Sequence, residues 1–143
     1  MPRIAKLLIG VAAALLAGWV FHGPIGRGEA FASRLEARAR AVVTEAELPE
    51  IRARIDRAPL ARRILMSGPA DEFQREGQGY FPGLNDRILG LGGIAAIQWP
   101  DEPERKSWPL PLLLETELIV LIAFLAGLGL GRFWSRPRRQ GYL

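Results

Sequence analysis

The sequence predicts an α+β fold, a small α-β-β-α-β domain flanked by two transmembrane helices. Three observations predict it. Apolar residues make up 49% of the 143 residues, and much of that share falls in two runs, Ile4 to Phe21 and Leu110 to Leu130. Between His22 and Trp108 the charges balance, with thirteen Lys and Arg against thirteen Asp and Glu. Within that middle segment the apolar period switches from helical spacing to strict alternation. The segment holds roughly 85 residues, enough for one small core.

The first element, Ile4 to Phe21, reads IAKLLIGVAAALLAGWVF. As a helix it reaches ~27 Å, against a bilayer core of ~30 Å. Lys6 lies near its start and can snorkel to the surface. The rival is a cleaved signal peptide, which also has a basic start and an apolar run. Trp19-Val20-Phe21-His22-Gly23-Pro24 is a poor cleavage site, so residues 1–22 are expected to stay as an anchor. The last element begins after Pro109 and Pro111. Glu115 and Glu117 occupy its first turns, and a carboxylate deep in lipid costs a few kcal/mol, so the membrane boundary is expected near Leu118. Residues 110–132 form this second span, and 133–143 a basic tail.

The net charge of +4 comes from the outer edges of the two runs: Arg3 and Lys6 at one end, Arg132, Arg136, Arg138 and Arg139 at the other. Basic residues flanking apolar spans mark the cytoplasmic side. Both termini are therefore expected in the cytoplasm and the middle translocated. The same distribution speaks against nucleic acid as a partner, because a nucleic-acid face would carry the excess on the folded part. Trp19 and Trp108 would anchor one membrane interface, Phe133 and Trp134 the other. Small residues recur at spacing four in both spans, at Gly10, Ala14 and Gly18 and at Ala123, Gly127 and Gly131, the pattern that lets helix backbones approach closely. If the spans are antiparallel neighbours, Gly18 is expected near Ala123, Ala14 near Gly127 and Gly10 near Gly131. A different protein as the partner of these faces is equally compatible.

In the middle, Gly23 to Gly28 is a turn-rich exit from the membrane. Residues 29–48, EAFASRLEARARAVVTEAEL, place Phe31, Leu35, Ala39, Val42 and Ala46 at helical spacing, and Pro49 stops the helix. Ile51 to Arg57 alternates, with Ile51, Ala53 and Ile55 facing one way and Arg52, Arg54 and Asp56 the other, as a half-buried strand does. Ala58-Pro59-Leu60 turns the chain into a second strand, Arg62 to Met66, as a hairpin. Ser67-Gly68-Pro69 ends that strand. Asp71 then occupies a helix N-cap position with Gln74 three residues on. Gly77, Gly79, Pro82 and Gly83 interrupt this helix around Tyr80 and Phe81, after which Leu84, Ile88 and Leu91 resume helical spacing. Ile94 to Trp99 reads as a third strand, closing the domain at residues 23–99. Residues 100–109 are a Pro-rich tether back to the membrane. Tyr80 and Phe81, on a glycine-flexed loop, either contact a partner or lipid or fold over the small core.

The stretches ILMSGPAD (64–71) and LGLGGIAAIQW (89–99), with the preceding helix and the Ile51–Asp56 strand, resemble a divergent BON domain over roughly residues 29–99. This bacterial module occurs in osmotically induced periplasmic proteins and beside OmpA-type domains. Two features depart from the family pattern: Pro59 stands where the hairpin turn usually has glycine, and GQGYFPG (77–83) breaks a helix that is commonly continuous. The resemblance implies a bacterial inner-membrane setting with the domain in the periplasm, a non-catalytic role, and phospholipid or envelope proteins as partners.

Residues suited to chemistry are sparse. There is no cysteine, hence no disulfide, thiolate metal site or thiol nucleophile. The one histidine, His22, lies at the membrane edge. Gly90-Leu91-Gly92-Gly93 lacks the Lys-Ser/Thr of a phosphate loop, and no metal-ligand spacing appears. The expectation is a protein without enzymatic activity or cofactor. It would present its domain for envelope-protein or lipid interaction, with the bilayer and another membrane or periplasmic protein as partners. The alternative is a small accessory or assembly subunit of a larger, energy-transducing membrane complex, held through its spans.

Overall fold

A computed structural model describes residues 2–103 and 109–134. Its elements are α1 (Arg3–His22), α2 (Arg27–Glu45), β1 (Arg52–Arg57), β2 (Leu60–Ser67), α3 (Glu72–Glu76), β3 (Gly77–Gln78), β4 (Phe81–Pro82), α4 (Leu84–Leu89), β5 (Ala96–Gln98) and α5 (Leu112–Trp134). The fold is mixed α+β. Two helices, α1 and α5, flank it and are long and apolar enough to cross a membrane; only 6% of each apolar window is buried. A core helix of a soluble domain would be mostly covered. These two instead expose their apolar side chains, which fits a two-span membrane protein.

α1 and α5 pack side by side and antiparallel. A Cβ on Gly10 would lie 2.7 Å from the Phe124 ring, and one on Gly18 would lie 2.8 Å from a Glu117 carboxylate oxygen. The α1 glycines therefore face the other span, but the register expected from the small residues does not form. Gly18 meets Glu117 rather than Ala123, and Gly10 meets Phe124 rather than Gly131. Among the described residues, Gly127 and Gly131 have nothing within 4 Å of an added Cβ. The domain sets this register. An antiparallel bridge joins Ala61 to Pro111, and Arg62 grips Glu115, which holds the start of α5 level with the end of α1. The expected pairing would slide α5 by six or seven residues and pull both attachments apart.

α2 starts after Gly26, whose backbone is left-handed (φ 72°). It ends three residues earlier than the Pro49 signal suggests, because Glu47 turns left-handed (φ 55°) and Leu48, preceding proline, is biased away from the helical region. Its buried face is Ala32, Leu35, Glu36, Ala39, Val42 and Val43, so Phe31 and Ala46 lie at the margin of the expected stripe. β1 and β2 form the expected hairpin, with Ile55 opposite Ile64 and Ala53 opposite Met66. β5 runs parallel to β2, giving the order β1-β2-β5. It is shorter than the expected Ile94–Trp99 strand because Gly92 and Gly93 both have positive φ, so the chain reaches extended geometry late. Ile94 and Trp99 are nevertheless both buried.

The core lies between α2 and the sheet and is closed by Leu84, Ile88, Ile94 and Trp99. The capping box at Asp71 forms as the spacing implied: its carboxylate accepts from the Gln74 N–H, and the Gln74 side chain accepts from the Asp71 N–H. A small antiparallel hairpin, β3–β4, was not expected. It pairs Gln78 with Phe81 and fills the interruption between the two short helices.

Candidate interaction site

Direction along the domain follows from its contacts. α2 leaves α1 at Gly28, which packs on His22, and extends about 28 Å over its 19 residues. β1 returns, so that Arg57 reaches Glu29 at the start of α2. β2 leaves again from the Arg62–Glu115 contact. The hairpin β3–β4 follows α3 and lies against Ala46 and Leu48, beyond the far end of α2. It is thus remote from the junction with the spans.

Tyr80 and Phe81 are at the hairpin tip. Tyr80 is 102% exposed and Phe81 75%. They do not fold over the core, which removes that alternative. Phe73, more than half exposed, lies nearby, and with Phe81, Leu48 and Leu84 it lines a shallow cavity of about 240 Å³. The base of the hairpin is tightly closed. Gly77 has φ 75°, and a Cβ there would collide with the Phe81 carbonyl; one on Gly83 would collide with the Arg75 carbonyl. The hairpin is also tied to the core. The indole N–H of Trp99, a residue only 1% exposed, donates to Asn85 Oδ1 at 3.0 Å, and Asn85 Nδ2 donates to Glu76 at the hairpin base at 2.7 Å. Arg75 stacks over the Trp99 ring at 4.2 Å and reaches Asp101 at 2.7 Å, where the Arg75 hydrogen bond holds the carboxyl below its ordinary range. The tip therefore presents two aromatic rings on a braced support.

A second feature lies on the flank of the same end. A groove of about 660 Å³ runs between α2 and β1, lined by Arg40, Val43, Glu47, Leu48, Ile51 and Ala53 among others. At one end of it Glu36 is buried. Its carboxylate accepts from Arg57 at 2.6 Å and from the Ile55 backbone N–H at 3.2 Å, and pairs with Arg40 at 3.1 Å. Burial works to raise the Glu36 pKa, but the Arg57 and Ile55 hydrogen bonds and the two guanidinium charges outweigh it and hold the pKa low.

At the junction with the spans, the two carboxylates of α5 have separate roles. Arg62 from β2 makes two hydrogen bonds to Glu115, at 2.7 and 3.1 Å. Glu117 turns to α1 and packs on Gly18. Their two-residue spacing puts them on different helix faces, one toward the domain and one toward the other span. Trp19 is half exposed on α1, one residue past the Gly18–Glu117 contact, and Phe133 and Trp134 are exposed at the opposite end of α5. Trp108, the fourth expected anchor, lies outside the described residues, as do Arg136, Arg138 and Arg139.

Sequence reasoning singled out Tyr80 and Phe81, which the structure leaves exposed, but did not single out Glu36, Arg62 or Asn85. Glu36 was legible in principle, since it shares a helical face with Ala32, Ala39 and Val43. Arg62 and Asn85 act across long sequence separations, which no local pattern reports. Compared with protein-family models, curated proteins and solved structures, the chain gives no significant match.

Proposed function

We propose that this chain is a two-span bacterial inner-membrane protein without enzymatic activity. It holds a BON-like domain in the periplasm, with both termini in the cytoplasm, and docks an envelope protein through the Tyr80–Phe81 hairpin. One observation carries the reading: two fully or largely exposed aromatics sit on a braced hairpin at the end of the domain remote from the spans. Aromatic side chains dominate binding energy at interfaces, and leaving both in water serves no purpose within the fold. The antiparallel spans support the topology. They bring both termini to the side away from the domain, in keeping with the basic residues there. The packing of Gly10 and Gly18 on α5 supports retention of α1 as an anchor.

The test is a photo-crosslinking residue at position 80 of the full chain in native membranes. The expected outcome is a discrete protein adduct that weakens when Phe81 is replaced by serine. Crosslinks to lipid alone, or none, overturn the reading. The alternative, an accessory subunit of a larger membrane complex held through its spans, is favoured by the open face at Gly127 and Gly131. A protein adduct from position 127 without one from position 80 would select it.

A further inference from the structure

The Tyr80–Phe81 hairpin stands in an acidic surround. Residues lining the cavity beneath Phe81 include Ala46, Phe73, Gly77 and Arg87, and an exposed carboxylate adjoins each of them in the chain. Glu47 follows Ala46, Glu72 precedes Phe73, Glu76 precedes Gly77 and Asp86 precedes Arg87. Glu50 lines the adjoining cleft with Gln74. None of these five carboxylates has an Arg or Lys partner among the described residues. The two guanidiniums at this end are already engaged, Arg75 by Asp101 and Arg87 by Glu45. Arg52 and Arg54 line the groove between α2 and β1 rather than this cavity. The middle segment is neutral as a whole, so the surplus of carboxylates belongs to this end.

Local structure does not account for that surplus. Glu72 and Asp86 lie in the first turns of α3 and α4, where an acid is ordinarily favourable. Glu47 comes just past the C-terminal end of α2, and Glu76 ends α3. The helix dipole favours cations at such positions. These acids therefore complement something outside the fold. The apolar half of the surface says where it is held: Phe73, Tyr80 and Phe81 are all more than half exposed, and the cavity of about 240 Å³ has room for one large apolar side chain. An anionic bilayer is a poor occupant, because its headgroups would meet carboxylates of the same sign.

Resting on the reading of the hairpin as a docking site, we propose that its partner presents a basic segment in which lysines or arginines flank an apolar residue. The apolar side chain enters the cavity beneath Phe81, and the basic residues meet Glu47, Glu72, Glu76 and Asp86. The carboxylates steer and orient the partner, as rim charges do. The aromatic side chains hold it once the anchor is seated.

The test uses the full chain in non-ionic detergent micelles and a rhodamine-labelled peptide with a leucine between lysines, read by anisotropy. Saturable binding is expected, weakening as salt is raised. Peptides with serine in place of the leucine, or glutamates in place of the lysines, should bind little. Charge reversal at two exposed positions, Glu72→Lys with Asp86→Lys, should slow association roughly tenfold, since electrostatic steering is worth about 10–10³ in rate. Glu72→Gln with Asp86→Asn should fall between. Replacing Tyr80 and Phe81 by serine should speed dissociation and leave the salt dependence in place. Equal binding of the glutamate peptide, or an unchanged association rate after charge reversal, overturns the proposal. So does self-association that charge reversal dissolves, which would assign the acidic end to a second copy of this chain. The docking reading fails separately. A position-80 protein adduct whose yield charge reversal leaves unchanged keeps the hairpin as a docking site and removes the basic partner, whereas absence of any protein adduct removes both.

Discussion

Glu36 and Trp99 anchor the polar order of the domain, each as a polar group tied inside an otherwise apolar core. Glu36 serves three donors at once: a guanidinium on the adjacent strand, a guanidinium one helical turn away, and the amide at the strand edge. Removing a buried acceptor of this kind leaves charged donors unmet, so Glu36→Ala should cost about 2 kcal/mol, measured by thermal or urea unfolding in detergent. The pH dependence has a definite sign. A carboxylate held below its unfolded value contributes stability that is fully present above that unfolded value and is lost as pH falls through the folded one. The acid limb of the stability profile should therefore flatten in Glu36→Gln. Trp99 fills more of the core than any other fully buried side chain, and Trp99→Ala should cost about 3–5 kcal/mol. Asn85→Ala, which cuts the link from that indole to the hairpin base, should instead loosen the hairpin with a smaller global effect. Faster amide exchange confined to residues 77–82 would report it.

Between elements, the informative contacts are helix on helix and strand on helix. The register of α1 against α5 predicts that Gly18→Cys with Glu117→Cys forms a disulfide on mild oxidation, whereas Gly18→Cys with Ala123→Cys does not. The chain has no native cysteine, so either result is read without interference. Gly10→Ile should disturb span packing, because its Cβ meets the Phe124 ring, whereas a Cβ at Gly127 meets nothing within 4 Å among the described residues, so Gly127→Ile should not disturb it. The Arg62–Glu115 contact joins the central strand of the domain directly to a span. Arg62→Ala and Glu115→Gln should each destabilise, and a double-mutant cycle should give a coupling of roughly 1.5–3 kcal/mol, the range for hydrogen bonds to charged groups. An additive cycle would show that the domain is held to α5 by the Ala61–Pro111 bridge alone.

At the level of the whole molecule, the two spans enter and leave the domain at one end, and the hairpin and groove lie toward the other. This arrangement predicts that Tyr80→Cys and Trp134→Cys are labelled by an impermeant maleimide from opposite sides of the membrane. Labelling of both from one side would show that α1 and α5 do not both cross.

The sequence by itself determined the elements. Strict alternation at Ile51 to Arg57, the Asp71–Gln74 cap and the two long apolar runs each depend on neighbours within a few residues, and local physics suffices to read them. It also located the interruption at residues 77–83, though not that a hairpin fills it, since that depends on how closely Gly77 and Gly83 can pass. Only the tertiary structure decided how the elements meet. The small residues of α5 carry the right spacing to pack on α1 and do not, because the register of two helices is set by what their ends are attached to, here Pro111 and Glu115 on β2. That β1 is an outer strand was equally invisible, for whether a strand is central or outermost depends on partners that lie elsewhere in the chain.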